Sequence, residues 1–391
     1  IDPQTGRPIT HNLVSVTVIA PTALEADALT QAAEARARQA GVRPNPTLGL
    51  EADSLFGSGP YSGTANAETT LSISQDLELW GRRAARVEAA RADAGAAARQ
   101  RDLAVVDAAG RLALIYAEAE AAERRAELAE ESLALTVADA RAVLALVEQG
   151  REPLLRGIQS ESEAAAARAA RDEAQAERDA AFARLAAVAM LVVPVTGIDA
   201  SLLDQTPGAA REATTAAPTV RVAEAGRDAA ERRIAVERIR ARPDVNASVG
   251  LRRYEAEDAT ALTFGISMPL PLFDRNRGNI DAAQVEFRAA EARLAAVRQE
   301  AQADRAAARA RLAASASRVG AADAGVASAE EAYRLSRIGF EAGRISQLEL
   351  RVTRAGLINA RTTAVDARLA RVRAEIDLAR QDGRAPFQGN Q

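Results

Sequence analysis

Hydrophobic and polar positions alternate with two different periods along this chain, and the period switches at matching places. From Thr70 to Leu79 the odd positions Leu71, Ile73, Leu77 and Leu79 are apolar, while Thr70, Ser72, Ser74, Asp76 and Glu78 are polar. Leu262 to Leu272 repeats the pattern, with Leu262, Phe264, Ile266, Met268, Leu270 and Leu272 apolar. Period two over about ten residues predicts a strand with one apolar face. Each such run follows a shorter partner, around Leu48–Ala52 and Val245–Leu251, across turn-rich residues 56–66 and 255–260. Two β-hairpins are expected, at 46–79 and 243–272. Behind each lies a Pro-free Ala/Arg/Glu stretch, 82–149 and 275–342, closed by Gly150 or Gly343. Ala, Glu and Arg favour helix, and a Gly after the last turn suits its C-terminal end. Return helices follow, 152–190 with Pro153 in the first turn, and 346–381. The long helical hairpins therefore span 82–190 and 275–381.

The matching is a duplication. Ile73, Ser74, Leu77, Leu79, Arg82 and Ala90 fall on Ile266, Ser267, Leu270, Leu272, Arg275 and Ala283, and Trp80 falls on Phe273. About seventy residues later Glu148, Gly150, Arg151 and Leu155 fall on Glu341, Gly343, Arg344 and Leu348, at the same offset of 193. Leu128, Leu135 and Ala142, with Leu133, Ala140 and Val147, make two narrow heptad seams, suited to a helix with a neighbour on each side. Residues 21–41 and 219–241 read as helices leading into the hairpins, 191–218 as a linker between copies, and 382–391 as a tail. Residues 1–20 are unplaced, with "NLVSVTVIA" a possible strand.

Composition narrows the function. Ala supplies 97 of 391 residues and aromatics only 3%, too little bulk for a large globular core. All 50 basic residues are Arg, interspersed with 54 acids to a net charge of −4, so there is no basic face for nucleic acid. No apolar run reaches the roughly 18 residues of a membrane helix, so a membrane crossing requires a barrel. With no Cys, a single His at His11 and only Met190 and Met268, no transition-metal site, catalytic thiol or lipid-anchoring Cys is expected, and no cofactor. The chain opens at Ile1 without Met or signal peptide and reads as a mature or trimmed form. Strands of 10–11 residues fit a transmembrane β-strand, but four cannot close a barrel, so partner copies are required.

Two copies of hairpin, very long helix, Gly turn and return helix resemble the outer membrane factor (TolC) family along nearly the whole chain. "SQDLELWGRRAAR" from Ser74 and "MPLPLFDRNRGNIDAA" from Met268 resemble its heavy-metal efflux branch, the cobalt–zinc–cadmium (CzcC-type) channels. "FEAGRISQLEL" from Phe340 resembles the periplasmic tip of the wider family. The match ends near Pro21. The resemblance implies a mainly α fold with a membrane β part, and a homotrimer whose hairpins build one twelve-stranded outer-membrane barrel continued by a periplasmic α-helical barrel. It implies a passive duct working with a periplasmic membrane-fusion adaptor and an inner-membrane resistance-nodulation-division pump. A multidrug or type I secretion channel of the same fold is one alternative, and a soluble periplasmic coiled-coil adaptor or spacer another. In this frame the tips Glu148, Gly150, Arg151, Glu341, Gly343 and Arg344 are candidate adaptor contacts, with helix capping the simpler role. Glu349 is a candidate periplasmic constriction. Trp80 and Phe273 are expected in an aromatic girdle or, alternatively, as filling at the strand–helix joint. Glu51, Asp76, Glu78 and Arg252 are expected to face the lumen.

Overall fold

The computed structural model describes residues 21–205 and 216–387. His11 and the unplaced 1–20 segment lie outside them, as do parts of the linker and the tail. The described elements are α1 (Pro21–Ala40), β1 (Thr47–Asp53), β2 (Glu68–Leu77), α2 (Arg82–Glu148), α3 (Leu154–Val188), α4 (Pro218–Arg240), β3 (Val245–Tyr254), β4 (Ala259–Ser267), α5 (Arg277–Glu341) and α6 (Gln347–Gln381). The described residues form two units, one of 25–101 and 219–298, the other of 21–24, 102–205, 216–218 and 299–387.

The first unit holds the sheet. All four strands pair antiparallel in the order β1-β2-β3-β4. The two hairpins are thus joined through β2 and β3, with Leu71 opposite Leu251 and Leu77 opposite Val245. β1 and β4 are left as open edges. The strands stop earlier than their alternation suggests. β4 ends at Ser267 because Pro269 and Pro271 have no N–H for a ladder. β2 ends at Leu77, where the Leu79 N–H turns back to the Leu77 carbonyl at 2.8 Å; Leu272 does the same to Leu270 at 2.8 Å. Trp80 (φ 61°), Gly81 (φ 78°) and Asn276 (φ 55°) then carry left-handed backbone where strand gives way to helix. α1 packs on α2 through Thr30, which donates to the carbonyls of Ala26 (2.8 Å) and Ala97 (3.3 Å). α4 is tied to α2 by Arg233–Asp93 (2.7 Å) and to α5 by Arg298–Glu224 (2.7 Å).

The second unit is helical, and α6 is its centre. Leu357, Val365, Leu369, Val372 and Ile376 of α6 are buried, the last four in one cluster with Ala117, Ala121 and Leu203. α3 contributes less, chiefly Phe182 and Leu185 against Ile115 and Ala119. Where apolar bulk is scarce, arginines join the helices. Arg361 pairs with Glu131 of α2 (2.7 Å) and Glu330 of α5 (2.9 Å). Arg373–Glu118 (2.9 Å) and Arg380–Asp107 (2.8 Å) continue the contact between α6 and α2. Pro153 sits at the N-cap of α3 rather than inside its first turn; its fixed φ of −68° and ψ of 147° are extended.

Candidate functional site

The sheet is turned inside out relative to a soluble protein. Its register aligns Leu50, Leu71, Leu251 and Leu262 in one row and Leu48, Ile73, Val249 and Phe264 in the next. These are the open residues: Leu48 is 68% exposed, Leu50 74% and Phe264 79%. The opposite face carries Thr70, Ser72, Ser74, Ser248, Gly250, Arg252 and Thr263, all buried or half-buried. Apart from Arg252 those residues are small, and at Gly250 an added Cβ would lie 2.8 Å from the Leu71 carbonyl oxygen. A contiguous apolar face of this extent, with two unpaired edges, is not left bare in water.

Of the charges on the polar side, Glu51 is exposed and lies opposite Thr70. Arg252 donates to Thr70 Oγ1 (2.9 Å) and to Glu68 (3.2 Å). Asp76 accepts from Asn246 Nδ2 at 2.9 Å. Glu78 departs from the lumen-facing expectation: it lies beyond the end of β2, largely buried, and its carboxylate pairs with Arg86. Arg86 also donates to the carbonyls of Ala40 (2.7 Å) and Val42 (3.0 Å), so Glu78 helps bind the start of α2 to the end of α1. Trp80 is 51% exposed, with the Arg242 guanidinium 5.5 Å from its ring, and Phe273 is almost fully exposed. Neither aromatic fills a core at the joint.

The two helix ends are built alike. Gly150 and Gly343 each have φ 68°, and no other atom lies within 4 Å of where a Cβ would be. The Gly150 N–H bonds to the Val147 carbonyl (2.9 Å) and the Arg151 N–H to Leu146 (2.9 Å). Gly343 to Phe340 (2.9 Å) and Arg344 to Gly339 (2.8 Å) repeat the geometry at the same offset of 193. This cap uses only the backbone of Arg151 and Arg344. Both arginine side chains are exposed, and among the described residues neither has an ion-pair partner; Glu148 is exposed, and Glu341 pairs with Arg337 (3.7 Å). Glu349 has a local role: its carboxylate accepts from the Ser346 N–H at 2.8 Å, while Ser346 Oγ accepts from the Glu349 N–H at 3.3 Å. This capping box starts α6 and turns Glu349 back on its own helix. The Ser-x-x-Glu spacing was legible in "SQLE".

Sequence reasoning missed a polar clamp on the linker. Glu120, 3% exposed, accepts from Arg124 (2.8 Å), Ser201 Oγ (2.6 Å) and the N–H groups of Leu202 (2.8 Å) and Leu203 (3.2 Å). From α6, Arg371 donates to the carbonyls of Gln205 (2.5 Å) and Leu203 (3.0 Å). Between them Leu203 is held in the core at 1% exposure. Beside the clamp an open cleft of about 750 Å³ is lined by Glu120, Glu123, Glu131, Asp323 and Glu330. Its acids are largely countered, Glu131 and Glu330 by Arg361 and Asp323 by Arg368 (2.8 Å). Burial raises the Glu123 carboxyl above its ordinary value, against a hydrogen bond from the Ile198 N–H. Among the described residues, no group of three or more His, Cys, Asp or Glu is placed to hold a metal, and no helix is long and apolar enough to cross a membrane.

Residues 19–189 and 209–384 match the model of the family described as outer membrane efflux protein. The chain is 41% identical over 279 residues to the nickel-cobalt-cadmium resistance protein NccC of Alcaligenes xylosoxydans xylosoxydans, covering 71% of this chain and 63% of that protein. It is 39% identical over 293 residues to the nickel and cobalt resistance protein CnrC of Cupriavidus metallidurans, covering 73% and 69%. The fold matches a crystal structure of CusC with a TM-score of 0.77 at 20% identity, over 93% of this chain and 89% of that one. Separately, a 28-residue stretch, 7% of the chain, is 96% identical to the FAD:protein FMN transferase of Escherichia coli (strain K12); it spans 8% of that enzyme, too little to carry its fold.

Proposed function

The chain belongs to the outer membrane efflux protein family, and on that premise we propose that it is the outer-membrane exit duct for divalent heavy-metal cations in a three-part efflux assembly. The observation that carries the membrane placement is the sheet whose apolar face is the open one. Lipid covers that face, and the open edges β1 and β4 pair with neighbouring copies, so that three chains close a barrel of twelve strands. The duct extends from the membrane into the periplasm. The cargo class rests on NccC and CnrC, whose names specify nickel, cobalt and cadmium resistance. Metal ions cross as transient cargo past carboxylates such as Glu51 and Asp76, without a resident site.

In this reading the duct is passive, and energy comes from an inner-membrane pump through a periplasmic adaptor. The exposed tips around Arg151 and Arg344 are the docking points, six in a trimer. Glu349 starts its helix and lies near the periplasmic end, where it lines the constriction only if its capping bond is released. The soluble-spacer alternative leaves the apolar sheet face without a cover.

The test is reconstitution. Purified protein should run as a heat-dissociable trimer in detergent and form cation-preferring pores in planar bilayers. Cells lacking the gene should become sensitive to nickel, cobalt or cadmium, and regain resistance with it. A detergent-free, stable monomer that leaves bilayers unperturbed would overturn the proposal.

A further inference from the structure

The strand register places all four helix–strand joints at one end of the sheet, since Thr47 lies opposite Ser74, Val245 opposite Leu77 and Ser267 opposite Asn246. That end is rich in arginine. Arg43, Arg83, Arg242, Arg275 and Arg277 are exposed, and among the described residues none has an ion-pair partner. Arg242 lies against the Trp80 ring, and Arg275 reaches only the Pro271 carbonyl at 3.4 Å. The carboxylates nearby are fewer and mostly engaged. Glu78 pairs with Arg86, Asp244 with Arg82, and Glu237 with Arg240. Asp76 and Asp274 take hydrogen bonds from Asn246 and Asn276, and Asp281 stands a turn into α5. Five unpaired cations therefore face three carboxylates outside ion pairs.

Helix stability does not account for these positions. Arg83 and Arg277 stand in the first turns of α2 and α5, neither of which has an acid there. The positive end of the helix dipole disfavours cations at that place. Directly beside the arginines lies the exposed apolar collar of Leu79, Trp80, Leu270, Leu272 and Phe273. An apolar band ending in aromatics and then in unpaired guanidinium groups matches, layer by layer, acyl chains ending in phosphate headgroups.

We propose that this arginine collar binds the headgroups of anionic phospholipids in the leaflet on the helix side of the membrane, fixing the depth of the barrel. The proposal rests on the membrane reading above, and it adds a lipid class and the residues that select it. Coulombic attraction between the guanidinium charges and the headgroup phosphates supplies the binding, and the salt dependence of surface charges applies.

The test compares three proteins as full-length trimers in one detergent, each titrated with phosphatidylglycerol or phosphatidylcholine and read by native mass spectrometry. They are the wild type, R83Q/R275Q/R277Q, and the control R309Q/R311Q/R318Q, which removes the same charge from exposed positions of α5. Each arginine at a lipid surface contributes about fivefold in binding. The wild type and the control should prefer phosphatidylglycerol, and the collar variant should lose that preference by about 10- to 100-fold. R83K/R275K/R277K should retain most of it, which separates loss of charge from misfolding. A collar variant that keeps the control's preference overturns the proposal while leaving the duct reading intact. A wild type that forms no trimer and takes up no lipid would remove both.

Discussion

The linker clamp allows a stability prediction to be worked from individual bonds. Glu120→Ala removes a carboxylate, 3% exposed, that accepts four hydrogen bonds. Two of its donors have other partners: Arg124 keeps Asp204 at 2.5 Å, and Ser201 Oγ lies 3.2 Å from the same carboxylate. Among the described residues, the N–H groups of Leu202 and Leu203 have no other acceptor. Each orphaned donor costs about 1–3 kcal/mol, and the lost charge-assisted bonds and small cavity add to it, so about 3–5 kcal/mol is expected. If the helical unit, about 200 described residues, melts together, its unfolding entropy is about 0.4 kcal/mol per kelvin, and the melting temperature should fall by about 7–12 °C. Local opening should come first, because the released turn draws Leu203 out of its cluster with Val365 and Val372. Circular dichroism in detergent reads the melting, and limited chymotrypsin digestion reads new cleavage after Leu202 or Leu203. An unchanged melting temperature with no new cleavage would refute the clamp.

Other expectations follow from the same geometry. Arg at Ile73 or Ile266 should cost about 2–4 kcal/mol if the position faces the bilayer midplane, whereas Arg at Ser74 or Ser267 should be tolerated, as measured by trimer recovery after refolding; equal tolerance would mean the faces are misassigned. Arg151→Glu with Arg344→Glu should leave the helix caps and trimer intact, because the caps use only backbone, yet weaken adaptor binding and metal resistance. Unchanged resistance at normal expression would place the docking contact elsewhere. Burial holds the Asp139 carboxyl above its ordinary value despite the pull of Arg354 and Arg351. A carboxyl raised in this way binds more protons folded than unfolded, so stability falls as pH rises from the ordinary value through the raised one. Asp139→Asn should therefore flatten that acid-side slope when melting temperature is followed against pH; an unchanged slope would contradict it.

Much of the site was written locally. The tips were legible because a Gly after a long helical run has one economical use, and both copies place Gly, then Arg, at the same offset. For Glu78 the alternation continues past the point where the strand ends. Only the turn at Leu77–Leu79 and the reach of Arg86 show that its carboxylate belongs to the joint. The spacing of Glu349 from Ser346 spells a capping box in the sequence itself, and the structure forms it. The clamp was invisible: Glu120 sits among Ala and Glu residues that look interchangeable, and its partners are some eighty residues away.

By itself the sequence determined the duplication, the two alternating hairpins, the unbroken helices, their glycine ends and the lack of any apolar helix fit for a membrane. The duplication shows as matched residues at one offset, and the rest depend on side-chain period or backbone preference within a few residues, which survive in a chain of little variety. Tertiary structure alone decided that β2 pairs with β3, joining strands some 180 residues apart into one sheet. It alone decided that α6 rather than α3 occupies the centre of the helical unit, and that Arg361 and Arg371 meet the acids and carbonyls they do. With nearly every helical face built from Ala, Arg and Glu, many pairings satisfy the local pattern equally well. The choice among them falls to the few bulky residues, Leu203, Val365, Leu369 and Val372, that are buried together in one cluster.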